Sequence, residues 1–255
     1  MVADTVLRMY DAGIRTHVLE LVATGASLSD ISRATGIARS TIRSWTLLSG
    51  PVLTDCCICG GAWPSAGADY AALLGFYLGD GCVSTYGTHT TLRISCDAAW
   101  TGIARDVTRL VGAVHLGCGV FHVSAPGATV VQGNWKHWPC LFPQHGPGRK
   151  HDRAIVLDAW QEVIVTAFSA DFLRGLFHSD GARVNNWATR MVRGEKRRYD
   201  YPRWQFSNRS EDIRALCCWA LDLVEVAWRQ SGPWTISVSR RESVNALDEL
   251  IGPKS

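Results

Sequence analysis

Two stretches of this chain repeat one pattern, and that repeat limits the fold more than any other feature. Leu73-Leu74-Gly75-Phe76-Tyr77-Leu78-Gly79-Asp80-Gly81 and Leu173-Arg174-Gly175-Leu176-Phe177-His178-Ser179-Asp180-Gly181 each read as the end of an apolar helix that stops on a small residue, an aspartate and a glycine. Gly75 and Gly79, like Gly175 and Ser179, stand four residues apart and so share one helical face. Small residues on such a face let two backbones approach closely. If the two helices pack side by side, Asp80 and Asp180 arrive together at one end. The negative end of the helix macrodipole lies there, so a carboxylate is disfavoured. Placing one at that point twice predicts a bound cation that offsets the cost. The competing reading is two unrelated buried helices that end in Asp-Gly, a common turn signal; repetition in similar context argues against it.

The pair resembles the LAGLIDADG family of DNA endonucleases, also called dodecapeptide or DOD-type homing endonucleases. Gly75, Asp80 and Gly81 match that motif's glycine, last acid and final glycine, as do Gly175, Asp180 and Gly181. Leu78 and His178 replace the motif's earlier acid, and His178 is expected as a buried or interface histidine. Leu74 and Arg174 stand where the motif has alanine, which predicts looser helix packing than the ideal. The resemblance implies an α+β fold in the single-chain, two-motif form: two pseudo-symmetric αββαββα halves making a saddle over DNA. It also implies that Asp80 and Asp180, with the backbone carbonyls of Gly79 and Ser179, hold Mg²⁺ or another hard divalent cation through oxygen ligands. The reaction implied is hydrolysis of phosphodiester bonds in double-stranded DNA, with Lys136 as a candidate for stabilising transition-state charge.

The order of elements extends the repeat beyond the motif. After Asp80, strands are expected over Cys82 to Tyr86 and Thr91 to Cys96, then a helix from Ala98 to Val111. A second hairpin is expected over Val114 to Val123 and Thr129 to Gln132, and a helix from about Ala154 to Val165 closes the half. After Asp180 the plan recurs: strands Arg183 to Val192 and Arg203 to Asn208 flank a basic loop, followed by a helix from Glu211 to Val226, a strand from Trp234 to Ser239 and a helix from Glu242 to Ile251. Ile94-Ser95-Cys96 before the first middle helix answers Phe206-Ser207-Asn208 before the second.

Charge is concentrated on the second half's hairpin. Arg183, Arg190, Arg193, Lys196, Arg197, Arg198 and Arg203 cluster there with Tyr199, Tyr201, Trp204 and Asn186 interleaved, which suits phosphate and base-edge contacts to duplex DNA. The alternative is a solvated hairpin with ordinary surface charge. Arg149, Lys150, His151 and Arg153 form a smaller basic set between the halves. The overall charge of +3 is too slight to prove a nucleic-acid partner, so the distribution carries the argument.

Ahead of the repeat, a short helical lead-in from Thr5 precedes a helix over Thr16 to Ala23. A second helix opens at Ser27 with Asp30 in a capping-box-like position, and stops at Gly36. A third helix runs from near Ala38 through Trp45. The spacing of Ile31, Ser32, Gly36, Ile37, Ile42 and Trp45 resembles a helix-turn-helix, whose exposed third helix would present Arg39, Ser40, Thr41 and Arg43 to the major groove. A generic three-helix knob for protein contacts is the alternative. The expected divisions are a helix-turn-helix domain over 1–50, a linker over 51–69 that begins after Gly50-Pro51, a first LAGLIDADG half over 70–166 and a second over 167–255.

The linker carries Cys56-Cys57-Ile58-Cys59-Gly60-Gly61, in which Cys56 and Cys59 form half of a zinc knuckle; nothing in the spacing selects the other two ligands that structural Zn²⁺ needs. Nine cysteines, an odd number without a secretory signal, favour free thiols or metal over disulfides. With no apolar run long enough to span a membrane, the expectation is a cytoplasmic, nucleoid-associated protein of bacterial type. Both halves lie in one chain, which predicts a monomer with double-stranded DNA as its partner. The competing function is a non-cleaving transcriptional regulator on the same scaffold; sporulation-type regulators that combine these parts have lost the acids, which this chain keeps.

Overall fold

The computed structural model describes residues 12–47, 56–87 and 89–254. The lead-in expected ahead of Ala12 and the Gly50-Pro51 boundary lie outside the described residues. The chain separates into two compact units, Met1–Ala62 and Trp63–Ser255.

In the first unit, α1 (Ala12–Ala23), α2 (Leu28–Thr35) and α3 (Arg39–Leu47) surround Val18, Ile31, Ile37 and Ile42, with Leu21, Val22 and Trp45 packed against them. Helices this short are marginal alone, so this shared core holds them. Ser27 caps α2: its Oγ accepts from the Asp30 N–H at 3.2 Å and donates to the Asp30 carboxylate at 2.6 Å. Gly36 ends α2 at φ 70°, a left-handed position that favours glycine.

The second unit contains two halves of one plan. The first comprises α4 (Gly67–Asp80), β1 (Gly81–Tyr86), β2 (His89–Asp97), α5 (Thr101–Val114), β3 (Val120–Ala125) and β4 (Ala128–Asn134), closed by the short α6 (Trp138–Leu141) and by α7 (Ala159–Ala167). The second comprises α8 (Ser169–Asp180), β5 (Gly181–Val192), β6 (Glu195–Ser207), α9 (Glu211–Leu223), β7 (Arg229–Gly232), β8 (Thr235–Val238) and α10 (Arg241–Ile251). Each half forms a four-stranded antiparallel sheet, ordered β1-β2-β4-β3 and β5-β6-β8-β7.

Several boundaries differ from the sequence expectation for local reasons. Helix α5 begins at Thr101 rather than Ala98, because the Asp97 carboxylate takes the Ala99 N–H at 2.9 Å and the Asp97 carbonyl takes that of Trp100 at 3.0 Å, making a turn. It runs on to Val114, so the following strand starts at Val120 instead. Helix α7 starts at Ala159 rather than Ala154, where Asp158 and Gln161 form a capping box. The expected basic loop after Val192 is strand: Arg193 at φ 53° and Gly194 at φ 85° make a two-residue turn, and pairing continues outward to Val192 opposite Glu195. Strand β7 is absent from the sequence expectation, since Arg229-Gln230-Ser231-Gly232 offers no apolar residue to read.

Helices α4 and α8 are buried along almost their whole length and pack against each other. A Cβ on Gly75 would run into the Phe172 carbonyl oxygen, and one on Gly175 into that of Ala72. The expected loosening at the motif's alanine positions is therefore absent. Leu74 is buried, and Arg174 turns to the flank, where it pairs with Asp106 on α5 and lies 3.6 Å from Asp171.

Any side chain at the crossing must push the helices apart. Gly75→Ala or Gly175→Ala should therefore destabilise the protein by about 2–3 kcal/mol in urea denaturation, as overpacking does. Gly112→Ala, in a helix and with nothing within 4 Å of its added Cβ, should instead be neutral or stabilising by up to about 1 kcal/mol.

Candidate functional site

The carboxylates sit where the helix contact ends. A Cβ on Gly79 would meet the Ser179 side chain and lie 3.3 Å from Asp180 Oδ2, so the tips of α4 and α8 abut and Asp80 and Asp180 share one cleft of about 490 Å³. Gly79, Lys150, Arg153, Asn208 and Arg209 also line it. Each helix stops at once because the glycine after the aspartate starts a strand: Gly81 pairs with Ile94 and Gly181 with Phe206. A side chain at either glycine would strike the preceding turn at Tyr77 or Phe177.

Two lysines occupy the helix ends. Lys150 Nζ donates to the carbonyls of Tyr77, Leu78 (3.0 Å) and Gly79 (2.9 Å), and Lys254 Nζ donates to those of Ser179 (3.3 Å) and Gly181 (2.9 Å). Cations suit a helix C-terminus. Part of the offset that the sequence assigns to a bound cation is thus supplied by these ammonium groups. In the sequence, Lys150 reads only as one of a generic basic set, and Lys254 does not stand out. A signal is nonetheless present, since each follows a Gly-Pro pair, at Gly146-Pro147 and Gly252-Pro253. Lys136, expected to stabilise transition-state charge, is exposed and does not line the cleft. It follows Asn134 at the far end of β4, where Trp135 stacks on His115 at 4.1 Å, so its segment is anchored elsewhere.

The lysines do not cancel the repulsion. Asp80 is raised above the ordinary carboxylate range by burial, against the lowering pull of Lys150 and Lys254. Asp180 is pushed up to about 6, by burial first and by the Asp80 charge second, although Asn208 Nδ2 donates to its Oδ2 at 2.6 Å. Burial also lowers Lys150 to about 8, and the two aspartates hold it from falling further. The halves differ here. Cys96 stands in the first half where Asn208 stands in the second, and its thiol is pushed up to about 12 by burial and the Asp80 charge. Asp180 thus receives an amide donor for which the first half has only a thiol.

Two carboxylates and nearby carbonyl oxygens in one cleft form an oxygen donor set that fits Mg²⁺ or a similar hard cation. The Gly79 and Ser179 carbonyls, expected as ligands, already accept from the lysines; a carbonyl oxygen keeps a second lone pair. His178 is buried, 3.3 Å from the Gly252 carbonyl and edge-on to Phe76.

The structure sorts the basic hairpin by face. Trp204 and Phe206 point into the core, so residues in register with them lie on the inner side of the ladder. Arg190, Arg197 and Arg203 fall on the opposite, open face with Asn186, Tyr199 and Tyr201. Arg183, Lys196 and Arg198 share the inner side, and Arg193 sits at the turn. Arg183 is engaged within the fold: its guanidinium is held by Asp248 through two 2.8 Å bonds, and Asp248 also accepts from Trp204 Nε1 at 2.7 Å. Arg198 is engaged by Asp200 at 2.7 Å and lies 5.2 Å from the Trp187 ring. In the first unit, Arg39, Ser40 and Arg43 are exposed on α3 and Thr41 is half-buried.

The raised Asp180 pKa fixes a pH dependence. The folded protein keeps this proton to a higher pH than the unfolded chain, so metal-free stability falls as pH rises from 3.8 to about 6. The full effect is about 3 kcal/mol. In chelator, the melting-temperature gain of Asp180→Asn over the parent should grow through that window and level off above it.

No protein-family profile and no curated protein matches the sequence. Solved structures do match in chain trace. The endonuclease I-DmoI in complex with DNA and Ca matches at TM-score 0.47 and 12% identity, over 73% of this chain and 91% of that one. The LAGLIDADG meganuclease I-AabMI bound to uncleaved DNA matches at TM-score 0.46 and 12% identity, over 71% and 82%. The N-terminal LAGLIDADG domain of DUF199/WhiA matches at TM-score 0.44 and 14% identity, over 75% and 84%. In overall trace, the chain resembles LAGLIDADG homing endonucleases and the LAGLIDADG domain of WhiA.

Proposed function

We propose that this protein binds double-stranded DNA and hydrolyses its phosphodiester bonds with a divalent cation held by Asp80 and Asp180. The observation that carries this reading is the forced meeting of two largely desolvated carboxylates at the abutting tips of α4 and α8, where both pKa values are raised. A buried pair of acids whose charge is only partly offset is costly to keep in a helix end, and perturbed acids in a cleft mark functional sites. A hard cation bound there supplies charge to polarise the scissile phosphate and to favour a nucleophilic hydroxide. Asn208 fixes the rotamer of Asp180. Lys150, rather than Lys136, is the side chain placed to oppose negative charge that develops in the cleft.

Duplex DNA suits the surface beside the cleft. Arg190, Arg197 and Arg203 on the open face of β5 and β6 offer positive charge to phosphates, and Asn186, Tyr199 and Tyr201 offer donors and acceptors between them. Arg39, Ser40, Thr41 and Arg43 on α3 give the first unit its own set of contacts in the manner of a helix-turn-helix. We place the protein as a monomer with this partner. No described helix is long and apolar enough to cross a membrane. A second reading, a non-cleaving transcriptional regulator, is favoured by one observation: Lys150 and Lys254 already neutralise part of the charge that a metal would.

Cleavage separates the two readings. DNA selected for binding should be cut on adding Mg²⁺, and Asp80→Asn or Asp180→Asn should each lower the rate about 100-fold or more while leaving affinity within a few-fold. Full binding with no cleavage under any divalent cation would establish the regulator. Replacing Arg190 and Arg197 with alanine should flatten the salt dependence of binding by about 0.9 in log–log slope for each phosphate left unneutralised. Arg183→Ala, which breaks an internal ion pair, should leave that slope unchanged and lower the melting temperature.

A further inference from the structure

We infer that the outer part of the β5–β6 ribbon is an arm for the major groove of duplex DNA. It reaches about seven base pairs further from the cleft than the matching hairpin of the first half. This rests on the duplex partner proposed above but not on cleavage.

The two hairpins differ in how far they outrun their sheets. In the first half, β4 pairs with β2 as far as Thr91, and two rungs of the β1–β2 ladder, Thr85 with Thr90 and Tyr86 with His89, lie beyond. In the second half, β8 pairs with β6 over Trp204 to Ser207 and no further. Nine rungs then join 184–192 to 195–203 as a bare two-stranded ribbon. At about 3.4 Å per residue, the seven extra rungs add about 24 Å, the length of about seven base pairs. Strand β5 leaves the cleft at Gly181, so this length is gained at the far end, at the Arg193-Gly194 turn.

The arm has little in the fold to lean on, since no residue over 182–203 is buried. A two-stranded hairpin without a packed face is marginal in water. Contacts between the strands stiffen it: Asn186 Nδ2 donates to the Tyr201 hydroxyl opposite at 2.8 Å, and the Arg198 guanidinium lies 5.2 Å from the Trp187 ring. Charge identifies the occupant. Over 184–203, Arg190, Arg193, Lys196, Arg197, Arg198 and Arg203 stand against Glu195 and Asp200, a net charge of +4, whereas the whole chain carries +3. The chain's excess positive charge therefore sits on this arm. On its open face Arg190 stands directly opposite Arg197, a like-charge pair that destabilises the ribbon by itself. Glu195, exposed and 3.6 Å from Arg197, offsets only part of that repulsion. Phosphates on either side of a groove relieve the rest. The major groove of B-DNA admits a two-stranded ribbon, whereas that of an RNA duplex is too narrow, which selects DNA.

The test is hydroxyl-radical footprinting of the full chain on DNA selected for binding, in chelator so that no strand is cut. Replacing 188–199 with Asn-Gly closes the ribbon after the rung between Trp187 and Asp200 and removes five of the nine rungs. Protection should retreat by about five base pairs at one edge and stay in place at the other, with a melting temperature close to the parent's. Should the shortened chain fold poorly, Arg190→Glu combined with Arg197→Glu keeps the arm's length and should lose protection at one edge alone. Edges that both stay in place, or that both retreat together, would overturn the arm while leaving the DNA partner intact. A parent that protects no duplex DNA would overturn the partner, and the arm with it.

Discussion

The approach of α4 and α8 at Gly75 and Gly175 is the contact on which the rest of the second unit depends. Neither glycine can carry a side chain without meeting the other helix's backbone carbonyl. With the helices that close, the tips at Gly79 and Ser179 must also meet, and the following Asp-Gly pairs launch β1 and β5 from adjacent points. Sheet position, cleft position and carboxylate proximity therefore share one cause. Dense packing makes such a contact intolerant of even a single methyl group.

That geometry creates an electrostatic problem that the fold solves only in part. Lys150 and Lys254 reach the helix-end carbonyls from opposite halves, each at the end of a Gly-Pro segment. They lower the carboxylate pKa values, yet burial still dominates at both acids. The residue that differs between the halves, Asn208 against Cys96, makes the two acids unequal. One carboxylate is thus amide-supported and the other thiol-flanked, while the pseudo-symmetric scaffold around them stays the same.

Much of this is legible in the sequence because it repeats. The small-residue face and the Asp-Gly ending show two apolar helices able to pack closely, and the resemblance to the LAGLIDADG motif implies their pairing and the meeting of the acids. What is not legible depends on contacts between distant segments or on elements without an apolar period. Lys150 acts through the Gly79 carbonyl 71 positions away, and Lys254 through that of Ser179 75 positions away. The outer part of β6 reads as a basic loop, because both of its faces are solvated and hydrophobic alternation is lost. Arg183 looks like its neighbours in sequence, and only the fold brings Asp248 to it.

The central claim is that Asp80 and Asp180 act as one cation site and not as two separate turn residues. Calorimetric titration of the full chain with Ca²⁺, in the absence of DNA, tests it most directly. A single binding event per chain is predicted, which either Asp80→Asn or Asp180→Asn abolishes, with both variants still folded. Binding that survives each single substitution, or a parent that takes up no divalent cation at neutral pH, would contradict it.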